Sequence, residues 1–433
     1  MTPQRPRPKL SLKKRLVFGA MATLMSLPVV ELISWSAIRF GLEDDFENIR
    51  DTQNRLAVSG STKKSLNEAS HPYLGWVMNP QTSQGTEFGG RQIPVNRFGF
   101  NDDEQELPKR ATDQLVVGIL GGSVAWQMTV LGESAFRESL KQSPALRDKE
   151  IRLVRLAMPA YKEPQQLMAL SFFLALGAEF DVIVNIDGYN EVALAAVDNN
   201  SAGVFAAYPR GWSFRTQDIV DPRVYEASFN TLEARAARQR LAQNMCHSWF
   251  RWSPTVNLIW KLGDGYWQNR LFDAATEVTL HQSAKGKPFA STGPPQLYAN
   301  QSEMFEQLAD VWKNSSLQID HLCRGAGTKY IHILQPNQYV AGSKSMGDQE
   351  RNTAIYETLL SGQAIARGYP LLVRAGNELL EGGVDFHDLT MLFADVEEPI
   401  YADQFCHYNA RGNDILARAV AERIVGACRR VTP

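Results

Sequence analysis

Cysteine is scarce and unpatterned in this sequence. Four occur in 433 residues, Cys246, Cys323, Cys406 and Cys428, and none forms a CxxC pair. No His/Cys cluster has the spacing of a metal site, so the residues call for no metal. The four cysteines allow three disulfide connectivities in an oxidising compartment; buried free thiols with at most one bridge fit equally well. Low-complexity tracts and internal repeats are also missing. Acid is missing from the first fifteen residues, MTPQRPRPKLSLKKR, which carry six Lys or Arg. The formal net charge of −2 therefore hides an asymmetry: from residue 16 onward, 39 basic side chains face 47 acidic ones, a formal −8. An acidic body without a basic patch excludes nucleic acid as a partner.

What is present is a globular composition, 44% hydrophobic and 21% charged, in a chain long enough for one large α/β domain with insertions, or for two domains. Directly after the basic tail of residues 1–15 comes the apolar run LVFGAMATLMSLPVVELISW. A positive flank followed by an apolar run is the grammar of a signal anchor, expected over residues 16–38, with Glu31 near its outer end. The positive-inside rule then puts the body outside the cytoplasm, on the periplasmic side. A signal cleaved near Ser34-Trp35-Ser36 and a buried helix of a soluble protein are the alternatives. Residues 39–70 are polar and read as a stalk or loose helix leading away from the membrane, and the main domain is expected over 71–433.

From residue 114 the pattern alternates. QLVVGIL (114–120), IRLVRLAM (151–158), DVIVNI (181–186) and KYIHIL (329–334) read as buried strands. Helices are expected to about Leu140, over 163–176, near 301–325, near 348–368, and from Asn413 to Cys428. Residues 190–300 break this rhythm and read as an insertion. Strand–helix alternation predicts a parallel sheet wrapped by helices on both faces, with chemistry beyond the carboxyl ends of its strands.

Each strand delivers something there. After the first comes GGS with Ser123; after the second, MPAYKEP with Ala160; after the third, DGYNE with Asn190. Before the last helix comes DQFCHYN with His407. Singly these residues have plain structural readings. Ser123 fits a helix N-cap, Asn190 a turn, and His407 a cap of the last helix. Together they form a nucleophile, a base and oxyanion donors at one sheet edge. No lysine follows Gly122, which excludes a phosphate-binding loop, and Val124-Ala125 excludes the G-x-S-x-G elbow.

In this order the residues resemble the SGNH (GDSL-like) hydrolase superfamily, and most closely its membrane-tethered bacterial members. The resemblance spans about 71–428, with HPYLGW as lead-in and LQPNQY after the fourth strand. It implies a flavodoxin-like three-layer αβα sandwich with an N-terminal membrane helix. It also implies Ser123 as nucleophile, His407 as base, and an oxyanion hole from Asn190 and the N–H groups of Ser123 and Ala160. An imidazole titrates near neutrality and can take the serine proton and return it to a leaving alcohol. Three positions depart from the family pattern. Gly122 stands for the usual Asp, Ala160 for a Gly, and Gln404 occupies the place of the acid three residues before the histidine. Asp403 is then the third member, or a carbonyl, Gln404 or Asp388 orients the ring instead.

Gln335, Asn337 and Gln338 lie after a strand on the same edge, and Trp126, Tyr161 and Tyr189 flank the motifs. Substrate contact and plain loop or core roles are both open for these. His71 and His387 read as structural. Gly121 and Gly122 are expected to leave room for substrate at the strand end.

The resemblance implies an extracytoplasmic serine esterase removing O-acyl groups, with acylated envelope carbohydrate as the expected partner. The reaction runs through an acyl-serine and needs no cofactor or metal. The same residues serve an O-acyltransferase that works with a membrane acyl-donor protein. A non-catalytic envelope protein that binds glycans or assists assembly is the third alternative.

Overall fold

Four largely buried strands and one short edge strand build the central sheet of this computed structural model. It describes residues 11–42, 44–58, 68–83, 85–216, 222–283, 289–295, 298–356 and 358–429. The basic tail as far as Leu10 lies outside the described residues. In chain order the main elements begin with helices α1 (Leu12–Ser36) and α2 (Phe46–Val58) and short strands β1 (Glu68–His71), β2 (Gly75–Met78), β3 (Thr86–Phe88) and β4 (Arg91–Ile93). Then come β5 (Gln114–Gly121), α3 (Ser123–Leu131), α4 (Glu133–Lys141), β6 (Glu150–Arg155), α5 (Gln165–Ala175), β7 (Val182–Asp187) and α6 (Tyr189–Leu194). Long helices α7 (Pro222–Cys246), α8 (Pro254–Ser283) and α9 (Gln301–Gly325) precede β8 (Lys329–Leu334), α10 (Asp348–Ala354), α11 (Leu360–Glu381), β9 (Phe386–Asp388) and α12 (Ala410–Arg429).

The chain divides into two units. One comprises residues 66–220 and 287–433, the other residues 1–65 and 221–286. These limits differ from the sequence expectation. Only residues 221–286 of the expected 190–300 insertion leave the sheet unit. Within 39–70 the helix α2 packs on α7, and residues 43 and 59–67 of that stretch lie outside the described residues.

In the sheet unit, β5 to β9 form one parallel sheet in the order β6-β5-β7-β8-β9. Every residue of β7 is buried, as continuous Val/Ile runs demand when both faces are covered. Helices α3, α4 and α12 pack on one another, as do α5, α6, α9 and α11 with their neighbours. The first sheet strand in sequence, β5, lies between β6 and β7, and a crevice opens beyond the carboxyl ends at such a reversal. Ser123 follows β5 and Asn190 follows β7, and Gly121 pairs with Ile186 across the two strands.

Arg155, 2% exposed, closes β6 by pairing with Asp102 at 3.0 Å, and with Asp103 and Glu133. Burial pushes the Asp102 carboxyl up to about 7 against the pull of the Arg155 guanidinium. The helix expected near 348–368 is instead two helices, α10 ending at Ala354 and α11 starting at Leu360, and α11 runs on to Glu381 through Pro370.

The helical unit holds an apolar helix at Val17–Gly41 that is long and apolar enough to cross a membrane; a signal sequence meets the same test. All four cysteines are free.

Candidate active site

β5 ends at Gly121 with φ +134°, a conformation open to glycine, and a Cβ there would stand 2.1 Å from the Ile186 carbonyl oxygen. The chain therefore turns sharply, and Ser123 becomes the first residue of α3 with its hydroxyl at the strand end. Its backbone N–H is among the unpaired donors of a helix N-terminus. Gly122 is packed as tightly: a Cβ would lie 2.3 Å from Asn190 Nδ2 and 3.3 Å from the Tyr161 carbonyl oxygen. This corrects the expectation that the two glycines leave space for substrate. Protein atoms fill that space, and the missing Asp at position 122 has a physical reason in the packing of Asn190.

His407 reaches Ser123 from the loop between β9 and α12. Its Nε2 lies 2.8 Å from Ser123 Oγ, and its Nδ1 lies 2.6 Å from Asp403 Oδ2. A carboxylate only accepts, so Nδ1 carries the proton and Nε2 is free to accept from the serine hydroxyl. The other carboxylate oxygen of Asp403 accepts the backbone N–H groups of Phe405 (2.7 Å) and His407 (3.3 Å). Burial raises the Asp403 pKa. The hydrogen bond and charge of His407 and the two N–H donors outweigh it, holding the carboxyl below the ordinary range. The other orienting groups are engaged elsewhere. Asp388 accepts from Thr390 N, and the Gln404 carbonyl accepts from the Tyr339 hydroxyl. A four-residue spacing works because 403–407 is a turn, closed by Ala402 N–H donating to the His407 carbonyl and passing through Cys406 at φ +76°.

The second and third loops are tied to the first. Met158 N–H donates to the Gly121 carbonyl, and the Asn190 amide donates to the Tyr161 carbonyl at 2.7 Å. Ala160 sits at φ +69°, so the glycine expected by family pattern is replaced in a conformation that glycine suits better. Together with Cys406, it places both non-glycine residues of positive φ among the described residues within the site loops.

Ser123, Ala160, Asn190 and His407 line one cleft of about 590 Å³. Its walls are largely apolar: Leu194 and Val197 on one side, Leu359 and Leu360 on the other, with Tyr356 and Phe405 beside them. Tyr356, Leu360 and Phe405 are exposed large side chains, a cost that a binding surface explains. Arg210 and Asp198, ion-paired at 2.6 Å, also line it.

Comparison with known proteins adds little. No family model matches the sequence, and no curated protein matches it. Among solved structures the chain is similar to a candidate acylhydrolase from Bacteroides fragilis NCTC 9343. The identity is 10% over 75% of this chain and 92% of that one, with a TM-score of 0.34. A likeness that slight decides no chemistry.

Not all expected site residues reach the cleft. Trp126 is 3% exposed, its indole N–H donating to the Asn101 carbonyl, and its ring packs on Phe88. Gln335 is buried with its amide on the Cys406 sulfur, and Asn337 is buried with its carbonyl oxygen accepting from Tyr339 N. These three are buried and do not line the cleft. Tyr161 is likewise buried, its hydroxyl on the Trp76 carbonyl, whereas Tyr189 lines the cleft.

A buried acidic network braces the Asn190 loop. Glu191 accepts from Gly188 N at 2.8 Å with one oxygen, and from Glu163 N and Gln166 Nε2 with the other. Burial, then the nearby Asp187 charge, pushes Glu191 up to about 8, and burial with both acids pushes Glu163 upward as well. Glu191 accepting the Gly188 N–H is the half of a capping box that a Glu three residues after the cap position would have pointed to. Among the described residues no cluster of three or more His, Cys, Asp or Glu could hold a metal ion.

Proposed function

We propose that this chain is an extracytoplasmic serine acyl hydrolase of the SGNH type, tethered by its N-terminal helix. The observation that carries the reading is the Asp403–His407–Ser123 relay, with contacts of 2.6 and 2.8 Å, at a cleft that Ala160 and Asn190 also line. On this reading the two helix groups are the outer layers of a three-layer αβα sandwich.

Ser123 Oγ attacks the ester carbonyl carbon while its proton passes to His407 Nε2. Asp403 holds the ring and balances the imidazolium charge. The developing oxyanion lies toward the N–H groups of Ser123 and Ala160 and the Asn190 amide, donors of the kind worth about 3 kcal/mol each. Collapse breaks the bond to the alcohol oxygen, which leaves with the His407 proton. Water then repeats the sequence on the acyl-serine and releases the acid. The apolar walls at Leu194, Val197, Leu360 and Phe405 favour an ester whose acyl chain is longer than acetyl. An acylated envelope carbohydrate remains the partner proposed from the family resemblance and the tether.

The test is turnover of p-nitrophenyl esters by the full chain in detergent, comparing wild type with Ser123→Ala and His407→Ala. Loss of turnover in both supports the relay. Equal rates in wild type and Ser123→Ala sink it, and acceleration by an added sugar acceptor identifies a transferase.

A further inference from the structure

The helical unit carries its own exposed apolar surface, on the turn WFRW at Trp249–Trp252 between α7 and α8. Trp249 is 79% exposed and Trp252 73%, and Phe250 is exposed beside them. Water is a costly neighbour for three large rings within four residues. Their place beside α1 gives them another.

Along the apolar helix, Glu31, Ser34 and Ile38 form the face turned to protein, at spacings of three and four. Leu24, Leu27, Val30, Leu32, Ile33 and Phe40 are exposed. A helix that is apolar all round, with one narrow protein-facing stripe, fits lipid on its remaining sides. Glu31 is the one carboxylate in that helix, and the residues directly after the turn supply its partners: Ser253 Oγ donates at 2.6 Å and Thr255 N–H, in the first turn of α8, at 3.0 Å. If the apolar slab begins at Val17, a helix rising 1.5 Å per residue reaches Glu31 after roughly 21 Å and clears a 30 Å core at about residue 37. The contact of Ser253 and Thr255 with Glu31 therefore holds the WFRW turn toward the outer third of the slab, on the side of Gly41.

The composition suits that depth. Tryptophan prefers the headgroup boundary, with its ring in the apolar zone and its N–H toward water. Arg251 donates to Asn54 Oδ1 at 2.8 Å, on the polar helix α2, and Arg50 of α2 lies 4.7 Å over the Trp252 ring.

We infer that the Trp249–Trp252 turn is a membrane-interface anchor, seated in the headgroup boundary beside the apolar helix, where Ser253 and Thr255 directly after it supply Glu31 with its hydrogen bonds. The inference rests on the helix being a retained anchor, and the experiment separates the two claims. Full-length protein is reconstituted in phosphatidylcholine vesicles whose chains are brominated near the headgroup, and tryptophan quenching is compared with Trp249→Phe/Trp252→Phe. Trp35, exposed on the apolar helix, reports the anchor itself. The expected result is strong quenching in wild type that falls about threefold in the double variant, leaving Trp35 as the quenched residue. Quenching equal in both proteins places the turn in water and overturns the inference while keeping the anchor. No quenching in either overturns both. If the double variant fails to fold, Trp249→Phe alone carries the same comparison, with a smaller fall expected and no change refuting it.

Discussion

Gly122 offers a test peculiar to this chain. Substituting alanine adds one Cβ, 2.3 Å from Asn190 Nδ2, well inside contact distance. Asn190 is the softer partner, since its amide is the end of a side chain whereas Tyr161 O is backbone. The amide must therefore swing away, and its 2.7 Å hydrogen bond to Tyr161 breaks. The fold loses one hydrogen bond that water can replace at a half-buried site, about 1 kcal/mol. Catalysis loses an oxyanion donor, about 3 kcal/mol or 10²-fold in kcat. Gly122→Ala should thus unfold at nearly the wild-type denaturant midpoint while turning over an ester about a hundredfold more slowly. Asn190→Ala should match it, and the double variant should fall no further, because both changes remove the same donor. Steady-state kinetics of the four proteins close the cycle. A Gly122→Ala enzyme of wild-type rate, or a double variant with additive losses, would refute the role given to Asn190. Gly122→Asp, which installs the residue usual in the hydrolases the sequence resembles, should be no better than alanine.

Ala160→Gly should relieve the left-handed strain, stabilising the protein by about 0.5–1 kcal/mol in urea melts after glycine's extra unfolded freedom is subtracted; a loss of stability would show that the turn is not strained. Asp403→Asn should lower kcat by on the order of 10⁴-fold with KM little changed. Because the folded pKa of Asp403 is depressed, its stabilisation is complete above its unfolded value near 4 and is lost as pH falls through the lower folded value. The stability gap between wild type and Asp403→Asn should therefore shrink below about pH 4, and a gap constant with pH would contradict the assignment. Across p-nitrophenyl esters of rising chain length, kcat/KM should climb roughly two- to fourfold per methylene until the chain outgrows the cleft. Leu360→Asp should flatten that rise, and a preference for acetate would refute the apolar reading of the walls.

The sheet was legible because parallel strands covered on both faces are written as runs such as VVGIL and VIVNI, which few other elements produce. β9 was not: three residues, Phe386–Asp388, are too short for any periodicity to register. The Ser123, Asn190 and His407 positions could be read because each stands just beyond an apolar run or just before a helix. The Asp403 contact could not be settled from spacing, since it depends on a turn through the positive φ of Cys406. Trp126, Gln335 and Asn337 misled for a common reason. A large or polar side chain beside a motif looks the same in sequence whether it faces the ligand or braces the loop from behind. The apolar cleft walls escaped because Leu194, Val197, Tyr356 and Leu360 come from segments distant in sequence and meet only in the fold.

The central claim is that Ser123 is a nucleophile activated by His407. Its most direct test is a fluorophosphonate probe, with the adduct located by peptide mass after the full-length protein is labelled. The account predicts one phosphonyl group on Ser123, labelling slowed at least a hundredfold in His407→Ala, and none in Ser123→Ala. An adduct on another residue, or a wild-type protein left unlabelled, would contradict it.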